Sequence, residues 1–189
     1  IQYDTMLPFL RQLAGPMDYT QGAMVNAARH NFRPIHSQPM APGTRAHQLA
    51  LYMILFSPLN MLCDSPSNYR REQECTDFIA SVPTVWDETK VLDGKMGEYI
   101  VTARRKGNDW FIGGITNWTP RDLTIDLSPL NLKEGTEMTI FTDGANAHRN
   151  GNDYRSQTTT VASDSLHVHL APGGGFAAHI CGTDPTSDK

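Results

Sequence analysis

Glu98-Tyr99-Ile100-Val101-Thr102-Ala103-Arg104-Arg105 alternates in character along its length. Tyr99, Val101 and Ala103 fall on one face and Ile100 and Thr102 on the other, the period of two that a β-strand imposes. Lys106-Gly107-Asn108-Asp109 follows with turn chemistry, and residues 110–116 return, so the stretch reads as a hairpin. Working outward, further strands are predicted over residues 123–127, 138–141, 158–161, 166–170 and 176–180, with Gly144, Gly151 and residues 173–175 between them. Seven or eight strands at this spacing predict an antiparallel β-sandwich over residues 83–189. Glu98, Arg104, Arg105 and Lys106 read as the charged outer face of the hairpin, and Trp110 and Trp118 as packing groups. His167 and His169 point the same way from one strand without a third metal ligand nearby, which is a solvated strand face. Residues 184–189 read as a frayed tail.

Residues 1–82 carry a different pattern, and every lysine and tryptophan lies after them. A helix over residues 7–13 stops at Gly15-Pro16, and residues 17–20 form a very short strand. Thr44 is a candidate N-cap after Pro42-Gly43, with Leu49, Met53 and Phe56 at helical spacing up to Pro58. Residues 59–64 then read as a buried strand closed by Ser65-Pro66. Cys75, Phe78, Ile79 and Val82 mark one face of a last helix, with Glu72 and Glu74 suiting the positive end of its dipole. Helix, strand, helix, strand, helix is the order of parallel strands with crossover helices. Two strands cannot close a barrel of eight. The fold class predicted is therefore α/β followed by all-β: the last βα units of a (β/α)8 barrel over residues 1–82, then the sandwich. The sandwich is expected to fold without residues 1–82, and the reverse to fail.

Composition excludes several classes. The 189 residues carry 16 basic and 20 acidic side chains, a net charge of −4, without basic clusters, so nucleic acid is not an expected partner. The longest apolar run, residues 49–56, is far below the roughly 20 residues of a membrane span. Cys63, Cys75 and Cys181 are an odd number without Cys-x-x-Cys spacing and read as buried free thiols. The first residue is Ile1 and no signal peptide is visible, so the chain reads as a segment of a longer one.

Barrel active sites lie at the C-terminal ends of the strands. That rule selects Asp18, Tyr19 and the loop after them, and Asp64 after the second strand. The loop over residues 21–43 carries Arg29, His30, Asn31, Arg33, His36 and Gln38 among several prolines, donors and acceptors suited to sugar hydroxyls. Asp18, Tyr19, His36 and Asp64 are the candidate substrate-binding residues. Two carboxylates facing one pocket are the minimal kit for glycoside hydrolysis, while either Asp alone suits a turn cap. Nucleotide-binding glycine loops, the Gly-x-Ser-x-Gly elbow and His-Glu-x-x-His are all missing from the sequence.

Four motifs resemble signatures of glycoside hydrolase family 97: Leu13-Ala14-Gly15-Pro16-Met17-Asp18-Tyr19-Thr20, Pro58-Leu59-Asn60-Met61-Leu62-Cys63-Asp64-Ser65-Pro66, Val82-Pro83-Thr84-Val85-Trp86-Asp87-Glu88-Thr89 and Thr116-Asn117-Trp118-Thr119-Pro120-Arg121. The resemblance implies retaining α-galactosidase or inverting α-glucosidase activity. It also implies an N-terminal β-sandwich, a central (β/α)8 barrel and a C-terminal β-sandwich, of which this chain is the last part. It places the catalytic glutamate, the other catalytic carboxylates and the calcium ligands upstream of Leu13, and none of those motifs matches a position here. No catalytic or calcium-binding residue is therefore assigned within the chain. The expected partners are an oligosaccharide and the preceding part of the same enzyme, in the periplasm or outside the cell. Two readings compete: a non-catalytic β-sandwich module binding carbohydrate or a subunit, and a complete small hydrolase using Asp18 and Asp64.

Overall fold

A computed structural model describes residues 1–182; the tail read as frayed, residues 184–189, lies outside the described residues. In chain order the elements are α1 (Leu7–Leu10), a 3-10 turn (Arg11–Ala14), β1 (Thr20–Gln21), β2 (Asn26–Ala27), β3 (Ala41–Pro42), α2 (Arg45–Ile54), β4 (Met61–Leu62), α3 (Pro66–Arg71) and α4 (Gln73–Ser81). Then follow β5 (Glu88–Lys95), β6 (Tyr99–Lys106), β7 (Asp109–Thr116), β8 (Arg121–Asp126), a 3-10 turn (Ser128–Leu130), β9 (Glu137–Asp143), β10 (Tyr154–Thr160), β11 (Ser165–Leu170) and β12 (Gly175–Ile180).

The expected hairpin is β6 and β7, with Lys106 opposite Asp109. It sits inside a six-stranded sheet in the order β10-β9-β12-β7-β6-β5, antiparallel at every step. The second layer is only the antiparallel pair β8–β11. Alternation explains why both faces of the central strands of the large sheet are dry. Val101, Ala103, Ile112, Phe176 and Ala178 face β8–β11 and pack with Ile125, Val168 and Leu170. On the other face Ile100 and Ile115 meet Ala50, Leu51 and Ile54, while Phe111, Phe141 and Ala177 meet Leu49, Met53 and Phe78.

Helix α2 is the second cover of the sheet. Thr44 caps it as predicted, its Oγ1 accepting from His47 N at 3.1 Å. All ten residues of α2 are buried. A Cβ on Gly113 would lie 2.7 Å from Ala50 O and 2.9 Å from Met53 Cβ, and one on Gly175 would lie 2.8 Å from His47 Cα. Two glycines on neighbouring strands thus let a helix lie directly on the sheet. Leu49, Leu51, Met53 and Ile54 are 1% exposed or less, each contributing about 1.5–3 kcal/mol of burial.

Four expectations change in the structure. Arg104 is not on an outer face; it is buried beneath α2, its Nε donating to Met53 O, its Nη2 reaching Ile54 O at 3.5 Å and its Nη1 donating to Thr89 Oγ1 at 2.9 Å. A cation at the negative end of a buried helix satisfies carbonyls that nothing else reaches. Ser65-Pro66 opens α3 rather than only closing a strand: Ser65 is its N-cap, with Oγ accepting from Asn68 N at 3.3 Å, and proline fits the first turn. The strand read over residues 59–64 shrinks to β4, parallel to β1 with Thr20 opposite Met61 and Gln21 opposite Leu62. Only Cys75 of the three free cysteines is buried; Cys63 and Cys181 are exposed.

The two dry faces bear on independent folding. Without α2 and α4, residues 83–189 would present Ile100, Phe111, Ile115, Phe141 and Ala177 to water. Contrary to the expectation from alternation alone, this piece expressed by itself is predicted to be insoluble or to bind a hydrophobic dye, while the whole chain stays soluble. A soluble, cooperatively unfolding 83–189 piece would show that the sheet does not need its helical cover.

Candidate functional site

The β1–β4 register fixes which residues share the strand ends. With Gln21 opposite Leu62, the same offset brings Ala23 level with Asp64. There Ala23, Pro39, Met40, Ala41, Cys63 and Asp64 line a groove of about 230 Å3.

The floor of this groove, residues 21–26, has its main chain held almost entirely by side chains. Gln48 Oε1 accepts from Gly22 N and Ala23 N at 3.1 and 3.3 Å. Tyr52 Oη donates to Gln21 O at 3.3 Å and Tyr69 Oη to Gly22 O at 3.0 Å. Arg45 Nη2 donates to Met24 O, Arg45 Nε donates to Asn26 Oδ1 at 2.7 Å, and Asn26 Nδ2 donates to Ala23 O at 3.0 Å. Gly22 has φ +89° with the Tyr52 hydroxyl pressed against it, a position only glycine fills without strain. Arg45 is 1% exposed; its Nη1 pairs with Glu72 Oε2 at 2.9 Å and its guanidinium lies 5.6 Å from the Tyr154 ring centroid.

Asp64 closes the clamp. Its Oδ2 accepts from Met24 N at 2.8 Å, and its Oδ1 from Ser65 N at 2.7 Å and Asn68 Nδ2 at 2.6 Å. Partial burial alone would raise its pKa, but the donors from Asn68, Met24, Ser65 and Val25 outweigh it and hold the carboxyl below its ordinary range. A carboxylate so held is a poor proton donor at neutral pH. Burial, then the Asp64 charge, pushes the neighbouring Cys63 thiol up, so it is not a thiolate nucleophile.

The other candidates stand apart. Asp18 is exposed and precedes β1, five residues (23 − 18) or up to about 16 Å of extended chain from the level of Asp64. The two carboxylates do not meet at one strand end, because the strand begins at Thr20 and not at Met17. Tyr19 is half-buried, its Oη donating to Asp4 Oδ1 at 2.7 Å; burial and the Asp4 charge raise its pKa, so the phenol stays protonated. Burial would raise the pKa of Asp4, yet His47, whose Nε2 lies 3.4 Å from Oδ2, and Tyr19 drive it well below the usual range. His36 is exposed on the loop that enters the groove three residues later at Pro39. Trp118 is half-buried with Arg29 5.9 Å from its ring, and Trp110 is buried. His167 and His169 are exposed, held by Thr124 and Asp122 across the strand pair. Among the described residues no three His, Cys, Asp or Glu side chains converge as metal ligands. Sequence reading missed Asp4, Arg45, Gln48 and Tyr69; the signal available for Arg45 and Gln48 was a polar side chain opening a helix that is apolar over the rest of its length, whereas Tyr69 is the one buried residue of the polar α3.

Comparison with known proteins places the chain. Residues 85–181, which contain β5 to β12, match a family model described as glycosyl-hydrolase 97 C-terminal, oligomerisation. The chain belongs to glycoside hydrolase family 97. It is 60% identical, over 95% of its length, to a retaining α-galactosidase of Bacteroides thetaiotaomicron, and 31% identical to a probable retaining α-galactosidase of Streptomyces bingchenggensis. A family 97 enzyme of Pseudoalteromonas sp. strain K8, solved with panose, superposes with a TM-score of 0.83 at 36% identity over 97% of this chain and 29% of that one. The chain spans only 27% and 26% of the length of the two curated relatives. In this family 97 chain the large sheet and β8–β11 are thus the C-terminal β domain, and the clamp formed by α2, α3 and Asp64 precedes it.

Asp64→Asn tests the clamp. An amide offers one acceptor where the carboxylate offers two, so its NH2 must face either Met24 N–H or the Ser65 and Asn68 donors. The expected loss of stability is about 1–3 kcal/mol, with faster amide hydrogen exchange at Met24. Wild-type exchange at Met24 would mean that Asp64 does not hold the loop.

Proposed function

We propose that the protein carrying this chain is an exo-acting α-glycosidase that releases terminal α-galactosyl groups from oligosaccharides. In this reading residues 1–82 are the last βα units of its (β/α)8 barrel and residues 83–189 the sandwich that braces it. The observation that carries the proposal is the 60% identity to a retaining α-galactosidase, because it runs through 95% of the chain and so covers both regions. The parallel β1–β4 pair supports the barrel reading. Among the described residues neither strand has a second neighbour in its sheet, and Leu59, Met61 and Leu62 are 67, 60 and 53% exposed where further strands would cover them.

Within this reading the clamped groove is one part of the sugar-pocket wall. His36, on the loop that enters the groove at Pro39, adds a polar group to that wall, and Asp64 acts chiefly through the shape of the 21–26 loop. Asp18 and Tyr19, which precede β1, stand apart from it. The acid and nucleophile carboxylates, and the calcium that the resemblance implies, belong to the preceding part of the protein. That part is also the chain's main partner, and the enzyme works in the periplasm or outside the cell. The printed description of the family's C-terminal model supports a second role for the sandwich, association between copies. No helix among the described residues is long and apolar enough to cross a membrane.

The test compares the full-length protein with residues 1–189 alone on aryl α-galactoside and aryl α-glucoside. The full-length protein is expected to favour the galactoside, and residues 1–189 to match a heat-killed control. Preference for the glucoside would overturn the substrate assignment. Turnover by residues 1–189 would show that the catalytic carboxylates lie within this chain and would overturn this reading.

A further inference from the structure

The large sheet has two outer edges, and they are built differently. At one end β5 carries Glu88, Lys90, Asp93 and Lys95, and its pairing with β6 is broken by a bulge between Val91 and Asp93. Charges and a bulge are the usual protections of an edge strand. At the other end β10 reads Tyr-Arg-Ser-Gln-Thr-Thr-Thr, pairs with β9 in unbroken register over all seven residues and has one charge, Arg155. It has no bulge, no proline and no lysine.

Which main-chain groups face outward follows from the ladder. Val161 N donates to Thr136 O at 2.8 Å and Gly144 N to Asp153 O at 3.0 Å. Both are opposed pairs in the β9–β10 register. Antiparallel pairing alternates, so odd-numbered residues from 155 to 161 direct their amides to β9, while the Asp153 amide closes the preceding turn on Asn150 O. Tyr154, Ser156, Thr158 and Thr160 therefore direct theirs away from the sheet, and among the described residues no strand receives them.

We infer that β10 is the interface between two copies of this protein, paired antiparallel to itself about a twofold axis through Gln157. This rests on the reading of the sandwich as an oligomerisation domain. The outward set is self-complementary under that operation: Tyr154 meets Thr160 of the second copy and Ser156 meets Thr158, for about eight main-chain hydrogen bonds across the axis. Arg155 comes opposite Thr159 of the second copy, so no like charges face each other. It also approaches the end of β10, where Glu134 and Asp164 line one depression with residues 161–163. The two sheets become one sheet of twelve strands. The Tyr154 ends, where Glu74 of α4 accepts from the Tyr154 hydroxyl at 2.8 Å, lie about 20 Å apart along the strands, so the two α4 helices do not collide.

The experiment measures the mass of the full-length protein by sedimentation velocity and light scattering. Wild type is expected to be a dimer. Thr158→Pro removes an N–H that faces outward and leaves the β9 ladder intact, so it should be a folded monomer of half the mass. Gln157→Lys and Gln157→Glu place like charges about 4.5 Å apart at Cα across the axis and should each be monomeric, while their equimolar mixture should return to dimer mass. Dimers in all three variants, or a mixture of the Lys and Glu proteins that stays monomeric, would overturn β10 as the interface while leaving oligomerisation standing. A monomeric wild type would end the oligomerisation reading and the interface with it.

Discussion

A helix with no wet face leaves its polar groups only protein to pair with, and α2 is such a helix. Its apolar residues press on the sheet through the gap left by Gly113 and Gly175. Arg45, His47, Gln48 and Tyr52 then have nowhere to go but protein. Each finds main chain: Met24 O for Arg45, Gly174 O 3.1 Å from His47 Nδ1, the Gly22 and Ala23 amides for Gln48, and Gln21 O for Tyr52. At the far end Arg104 rises from β6 to meet the last carbonyls. Leaving any one of these buried groups unpaired would cost about 1–3 kcal/mol, more for the charged ones. The helix therefore dictates the course of the chain around it.

The sheet shows the same economy of cover. Six strands on one side are opposed by only two on the other, so β8–β11 shields the middle of the sheet. Toward β10 a groove remains, with Met138, Ile140, Leu166 and Val168 on its walls. One carboxylate joins this layer to the helix layer. Asp143 Oδ2 accepts from Ala171 N and Gly175 N at 2.8 and 3.1 Å, just where β12 begins beneath α2. Burial is the largest influence on that group and raises its pKa to about 6, against the pull of Thr44, the two amides and His47. Its charged form is thus tolerated rather than favoured, and its value lies in shaping the turn over residues 171–174.

What could be read from the sequence follows from which signals are local. Alternation and turn glycines placed the β6–β7 hairpin, the later strands and the Thr44 cap, because those patterns depend on near neighbours. Arg104 defeated the same rule: its face is decided by a helix fifty residues earlier in the chain, and a charge on an alternating strand looks solvated until that helix is known. Ser65-Pro66 carries two meanings, strand end and helix start, and only α3 chooses between them. Asp18 was matched with Asp64 on the assumption that each closes a strand; register, a relation between distant segments, separates them. Of the candidate site, the groove and Asp64 were legible as a place. The clamp was not, since Gln48, Tyr52 and Tyr69 look like ordinary helix residues.

These constraints meet in one geometric consequence. The 21–26 loop hangs from Gln48, Tyr52 and Arg45, and those three side chains belong to the helix whose opposite face is seated on β7 and β12. The groove and the large sheet are accordingly fixed to each other through a close-packed element, and Asn152, just before β10, adds a direct link by accepting from Asn26 N at 2.7 Å. A close-packed interior transmits displacement rather than absorbing it. Whatever the sheet is joined to at its β10 edge is therefore held at a set distance and angle from the groove, the more so because the ring centroid of Tyr154, the first residue of β10, lies 5.6 Å from the Arg45 guanidinium that holds the loop.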